Sequence, residues 1–142
     1  MNILVCDDDQ AIVDAIEIYL SQEGYTVLKA YDGLEAIRMV KEKEIQLVIL
    51  DIMMPRMDGI RATMKIREIS AVPIIFLSAK SEDVDKILGL NVGADDYITK
   101  PFNPLELNAR VKSVLRRYTQ LGAIAEKKDT VFQIGGLRVD DD

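Results

Sequence analysis

Histidine is missing from the 142 residues, and cysteine occurs once. Without an imidazole, Ser-His-Asp chemistry, histidine-ligated metal sites and histidine general bases are excluded. The lone Cys6 has no partner for an internal disulfide, which suits a reducing cytoplasm. Set in the run Ile3-Leu4-Val5-Cys6, it reads as a packed thiol rather than a nucleophile. No apolar stretch approaches the ~20 residues that span a bilayer, so no membrane partner is expected. Met1 to Val5 leads into Asp7-Asp8-Asp9 without the profile of a signal peptide. Positive charge is also short: 18 basic residues face 24 acidic ones, a net charge of −6, which argues against binding nucleic acid by bulk electrostatics. Internal repeats and low-complexity tracts are absent, and no glycine-rich phosphate loop follows the first apolar run.

What is present is an ordinary core-forming composition, 49% apolar and 30% charged, sized for one domain. Short apolar or β-branched runs at residues 3–6, 25–30, 46–50, 74–77 and 96–98 read as strands. Helical spacing falls between them. Ile12, Ala15, Ile16, Tyr19 and Leu20 form one stripe, closed by Gly24; Asp32 and Glu35 have capping-box spacing before Ala36, Ile37 and Val40. Asp58 is placed to cap a helix carrying Ile60, Met64 and Ile66 inward. Ser81-Glu82-Asp83 opens a fourth helix with Val84, Ile87 and Leu88 on one face, ended by Gly93. Asn103-Pro104 opens a fifth with Leu107, Val111, Val114 and Leu115 inward, fading near Tyr118. Strands alternating with helices at this spacing predict an α/β fold: a doubly wound parallel sheet with helices on both faces and right-handed crossovers.

The pattern breaks after residue 119. Residues 120–130 read as a linker. Val131-Phe132-Gln133-Ile134 and Leu137-Arg138-Val139 across Gly135-Gly136 read as two short strands, too few to be stable alone.

The chemistry gathers at strand ends. Asp7 and Asp8 follow the first strand, Asp51 ends the third after Leu47-Val48-Ile49-Leu50, Ser78 follows the fourth and Lys100 the fifth. In a parallel sheet all these ends share one edge, where open α/β sheets bind ligands. Each residue has an ordinary explanation alone: a helix cap for the aspartates, a turn before Pro55 for Asp51, a loop hydroxyl for Ser78, a surface ammonium for Lys100 and core packing for Tyr97. None of these predicts that all would fall at the carboxyl ends of strands. If Asp7, Asp8 and Asp51 converge, unit charges ~4 Å apart repel by roughly 4 kcal/mol at an effective dielectric near 20. A hard divalent cation such as Mg²⁺ relieves this, leaving Asp51 as nucleophile toward a phosphoryl group, with Lys100 and Ser78 on its oxygens.

The order Asp7-Asp8, Asp51, Ser78, Tyr97, Lys100-Pro101 resembles the receiver domain of two-component response regulators, over about residues 2–119. The resemblance implies a flavodoxin-like five-stranded sheet in the order 2-1-3-4-5. It implies that Asp51 accepts phosphate from a histidine kinase. Mg²⁺ (or Mn²⁺) would be held by Asp8, Asp51 and the Met53 backbone carbonyl, with Asp7 acting through water. Ser78 and Tyr97 would form a switch pair, Ser78 and Lys100 would contact phosphate, and a cis peptide would precede Pro101. Gly93 to Phe102 and Glu106-Leu107-Asn108-Ala109-Arg110 resemble the OmpR/PhoB branch, with vancomycin-resistance-type regulators particularly similar. That branch dimerises through its fourth helix, fifth strand and fifth helix. Carried over, the face comprises Ile87, Leu90 and Ala109, with cross-dimer pairs Lys86–Glu106, Asp96–Arg110 and Asp95–Arg117. The implied organisation is a receiver over 1–119, a linker over 120–130 and, at 131–142, the opening of a winged-helix DNA-binding domain, so that DNA is reached only through an effector domain missing here.

The expectation is a phosphorylation-controlled cytoplasmic switch that controls transcription and is not a turnover enzyme. The alternative is a Mg²⁺-dependent aspartyl-nucleophile phosphohydrolase of the haloacid-dehalogenase type, but that chemistry wants a second aspartate two positions after the nucleophile, where Met53 stands. A third reading is a degenerate receiver acting only as a scaffold, against which the intact Asp7-Asp8, Asp51 and Lys100 argue.

Overall fold

The computed structural model describes residues 1–79 and 93–133, with side chains through 78 and from 93 to 119. Five parallel strands, β1 (Asn2–Cys6), β2 (Thr26–Ala30), β3 (Leu47–Asp51), β4 (Ile74–Ala79) and β5 (Asp96–Lys100), lie in the order β2-β1-β3-β4-β5. All neighbouring pairs are parallel, with Cys6 level with Leu50, Asp51 with Leu77 and Ser78 with Thr99. The carboxyl ends therefore share one edge, and the switch point lies between β1 and β3.

The central strands have side chains buried on both faces because helices cover both. Ile3, Val5, Leu47, Ile49, Ile75, Leu77 and Ile98 point toward α1 (Gln10–Ser21) and the C-terminal helix (Pro104–Gln133). Leu4, Cys6, Val48, Leu50, Ile74 and Phe76 point toward α2 (Gly33–Glu42) and α3 (Gly59–Arg67). This two-sided cover explains why β3 reads as an unbroken apolar run rather than an alternating one.

The helix starts are set by local polar groups. Asp9, Asp32 and Asp58 cap α1, α2 and α3 by accepting from the backbone of Ala11, Glu35 and Arg61, each satisfying an N–H left free in a first turn. The aspartate triplet thus divides its labour: Asp9 serves the helix, while Asp7 and Asp8 are left to the sheet edge.

Three expectations differ from the structure. Gly59, Ala62, Thr63 and Ile66 form the buried stripe of α3, which turns Met64 outward at 54% exposure. The fifth strand runs on to Lys100. The C-terminal helix continues through Gln133, across the segment expected to be a linker and the first residues expected to be a strand. Leu121, Ala123, Ala125, Glu126, Lys127 and Lys128 are good helix formers, and a single Gly122 does not outweigh them. The fourth predicted helix, including Lys86, Ile87 and Leu90, and the segment 134–142 lie outside the described residues. Among the described residues, no helix is long and apolar enough to cross a membrane.

Candidate functional site

β1, β3, β4 and β5 bring the predicted strand-end residues to one place. One carboxylate oxygen from each of Asp7, Asp8 and Asp51 lies within 4.8 Å of the others. Asp7 and Asp51 are buried and Asp8 is exposed, so the cluster has a buried floor and an open side. Lys100 reaches in from β5, its Nζ 2.8 Å from Asp7 Oδ2 and 3.2 Å from Asp51 Oδ1. The contact with Asp7 is an ion pair without the alignment of a hydrogen bond, because Asp7 Oδ2 has no hydrogen-bond partner among the described residues. Asp7 Oδ1 is held by the backbone N–H of Asp9 at 3.0 Å. The Lys100–Pro101 peptide is cis.

One ammonium against three carboxylates leaves the site over-supplied with negative charge. Burial, and then the neighbouring Asp7, push the Asp51 carboxyl up to about 6, against the opposing pull of Lys100. Burial works to lower the Lys100 ammonium, but its contacts with Asp7 and Asp51 outweigh this and hold it above its ordinary value. A carboxyl raised toward neutrality in a cleft, beside a fixed cation, is a mark of a functional site.

Ser78 ends next to Asp51. It lies one position beyond Leu77, the register partner of Asp51, with only 2% of its surface exposed. Its Oγ has no hydrogen-bond partner among the described residues. A buried hydroxyl left unpaired is unfavourable unless a ligand completes it. The donor set therefore fits two groups at once: a hard divalent cation against the carboxylates, and an anionic oxygen against Ser78 and Lys100.

The loop after Asp51 is packed tightly onto β3. A Cβ on Gly59 would collide with the Asp51 carbonyl oxygen and come within 2.9 Å of Ile52 Cα, and the Gly59 N–H donates to the Ile52 carbonyl at 2.8 Å. Only glycine fits there. Met53 turns its side chain outward at 67% exposure.

The remaining predicted residues are less concentrated. Tyr97 pairs in register with Phe76, two positions before the Ser78–Thr99 level, and packs against the apolar cluster on the α2 and α3 side. Asp96 and Arg110, expected to pair across a dimer, are paired within the chain at 3.0 Å, and Arg110 also reaches Glu106 at 3.2 Å. Asp95 is held by Arg67 at 3.4 Å and accepts the Ile74 backbone N–H at 2.8 Å, also within the chain. Ala109 and Arg117 lie on the described part of the C-terminal helix. Two residues that the sequence does not single out as a pair also meet beside the site: Arg56 forms an ion pair with Asp32 at 2.7 Å.

The comparisons with known proteins agree with this geometry. The family described as the response regulator receiver domain matches residues 3–112. Regulatory protein VanR of Enterococcus faecium is 49% identical over 136 residues, covering 96% of this chain and 59% of its own length. The alkaline phosphatase synthesis transcriptional regulatory protein PhoP of Bacillus subtilis is 42% identical over 143 residues, covering 97% of this chain and 60% of its own. The chain thus spans about 60% of these curated relatives. Among solved structures, the receiver domain of the Francisella response regulator 1452 is similar with a TM-score of 0.77 and 36% identity, covering 82% of this chain and 98% of that one. A CheY-like receiver domain protein from Methanospirillum hungatei JF-1 is similar with a TM-score of 0.80 and 31% identity, covering 84% of this chain and 96% of that one. The chain belongs to the response regulator receiver domain family.

Proposed function

We propose that Asp51 is a phosphoacceptor, charged by a histidine kinase in the cytoplasm, and that its modification controls transcription through an effector domain. The observation that carries this reading is the Asp51 carboxylate itself: buried at the end of β3, pressed by Asp7 and met by Lys100 at 3.2 Å. Asp51 Oδ attacks the phosphorus of a phosphohistidine. The P–O bond forms as the P–N bond breaks, and the imidazole nitrogen leaves with the electron pair. Lys100 and the Ser78 hydroxyl, which has no hydrogen-bond partner among the described residues, then face the phosphoryl oxygens. Asp7, Asp8, Asp51 and the Met53 backbone carbonyl would hold Mg²⁺ (or Mn²⁺), which neutralises phosphoryl charge when bound. The protein takes one phosphoryl group and is not a turnover enzyme on small molecules.

Ser78 and Tyr97, on one strand and its neighbour, are the switch pair in this reading, coupling the site to a dimer face on the fourth predicted helix, β5 and the C-terminal helix. Lys86, Ile87, Leu90, Asp95, Asp96, Glu106, Ala109, Arg110 and Arg117 would supply that face. Because Asp96 already holds Arg110 at 3.0 Å within the chain, dimerisation on these pairs requires an exchange of partners. The receiver unit is residues 1–119, and DNA is contacted only through an effector region beyond it.

Intact mass after incubation with Mg²⁺ and acetyl phosphate tests the central claim. One added phosphoryl group is expected for the wild type and none for Asp51→Asn; equal modification of both would end it. Sedimentation of the phosphorylated chain tests the dimer, which fails if the species stays monomeric at high concentration.

A further inference from the structure

The loop that leaves Asp51 is fastened to the start of α2 at three points. Arg56 meets Asp32 Oδ2 at 2.7 Å. The Met57 backbone lies so close to Gly33 that a Cβ there would come within 2.7 Å of the Met57 oxygen. The Cys6 thiol sits between the Asp32 carbonyl oxygen, 3.2 Å away, and Met54 Sδ, 3.5 Å away.

Arg56 is the unusual member. Its φ of 66° lies in the left-handed region, and among the described residues no other non-glycine residue adopts it. That conformation disfavours any residue with a Cβ, so the loop holds its shape because something outside it does the holding. The Arg56 side chain is 70% exposed, as in an ordinary surface pair, which contributes little. Its partner is not ordinary: the Asp32 side chain is 6% exposed, and its Oδ1 is fixed by the Glu35 backbone N–H at 2.9 Å as the cap of α2. One end of the pair is therefore anchored, which makes the arginine a tether for the loop rather than a mobile charge.

We propose that Arg56 is a positioning residue for the divalent-ion site. Through Asp32 it sets the loop from Ile52 to Asp58, and with it the Met53 carbonyl, against the carboxylates of Asp7, Asp8 and Asp51. This rests on the phosphoacceptor reading above. Groups that orient metal ligands without touching the metal typically change affinity by 10–100-fold when removed. The tether acts at the lower end of that range because the carboxylates themselves are held by the strands.

The test is Mg²⁺ titration of the whole chain, followed by backbone amide shifts, with the rate of acetyl-phosphate labelling measured at low and at saturating Mg²⁺. Arg56→Ala and Asp32→Asn are expected to weaken Mg²⁺ about tenfold. Asparagine still caps α2, so the second variant removes the charge and keeps the helix start. Arg56→Lys, a point charge on a similar stem, restores most of the affinity. Labelling is slowed at low Mg²⁺ and returns to the wild-type rate at saturation, a recovery that a merely structural defect would not show. If Arg56→Ala does not fold, Arg56→Gly removes the tether while easing the left-handed backbone, and the same loss is expected. Wild-type affinity in Arg56→Ala or Arg56→Gly overturns the proposal, as does a labelling defect that saturating Mg²⁺ leaves in place. A wild type that takes up no Mg²⁺ at all overturns the phosphoacceptor reading itself, a result distinct from wild-type-like binding by the variants.

Discussion

The two ends of the sheet are built on opposite principles. At the amino end, polar groups are matched to one another. The Asn2 backbone N–H donates to Gln46 at 2.6 Å and its side chain to the Glu44 carbonyl at 2.7 Å. Arg67 binds the Val72 and Gly93 carbonyls at 2.6 and 2.7 Å, while Asp95 receives both Arg67 and the Ile74 N–H. At the carboxyl end, three carboxylates crowd one ammonium, and a buried serine hydroxyl has no partner among the described residues. Matched polar groups stabilise, and buried unmatched ones cost. The fold is held at one end, and at the other it gathers like charges and a buried hydroxyl around Asp51.

The largest expected effect separates the ends outright. Asp51→Asn should abolish labelling by acetyl phosphate, read by intact mass, and yet leave the chain more stable at neutral pH. A carboxyl raised to about 6 from an ordinary value of 3.8 weighs against the folded state when ionised; removing its charge is worth on the order of 1 to 3 kcal/mol. Unfolding by urea measures it. A marked destabilisation by this substitution would mean that the carboxyl end is structural after all.

The reverse is expected at the amino end. Asp95→Ala leaves the Ile74 N–H and the Arg67 guanidinium short of an acceptor, and should lower stability by about 2 kcal/mol. Labelling at Asp51 should persist in the folded fraction. Loss of labelling without loss of stability would break the contrast between the two ends.

Most of the described fold is legible in the residues, because strand and helix periods differ and an aspartate marks the start of each of α1, α2 and α3. The site is legible for a related reason: Asp7, Asp8, Asp51, Ser78 and Lys100 are each adjacent in sequence to a strand end, and a parallel sheet turns those ends into one place. What is hidden depends on contacts that no local pattern encodes. Asp95 invites pairing with another chain's arginine, yet the register that sets it opposite Ile74 also delivers it to Arg67 of its own chain. Met64 matches a loose helical spacing, but the stripe is set by Gly59 packing on Asp51, which rotates Met64 outward. The Arg56–Asp32 pair joins two loops with no shared motif, so nothing short of the folded chain reveals it.

The pH dependence sharpens the comparison, because stability and ligand binding at the carboxyl end should run in opposite directions. A folded-state pKa near 6, above the ordinary 3.8, means that the Asp51 contribution to stability is fully present below about 4 and is lost as pH rises through about 6. The stability advantage of Asp51→Asn over wild type should therefore shrink as pH falls from 7 to 5. Divalent-ion binding needs the carboxylate, so proton competition should weaken Mg²⁺ about tenfold over the same interval. Chemical denaturation in the presence of EDTA measures the first, and Mg²⁺ titration at each pH the second. A metal affinity flat across this range would show that Asp51 is not among the ligands.

Ser78→Ala should give the smallest change in stability, and its sign is the informative part. Removing a bonded serine hydroxyl from a core ordinarily costs about 1 kcal/mol. Here the Oγ is buried without a partner among the described residues, so its removal takes away a desolvated group that folding never compensated. The unfolding free energy should stay level or rise by less than about 1 kcal/mol, while labelling by acetyl phosphate slows because a donor to the phosphoryl oxygens is gone. A cost comparable to that of Asp95→Ala would mean that the hydroxyl is matched in the resting protein, and that Ser78 belongs with the groups that hold the fold together rather than with those kept open for a ligand.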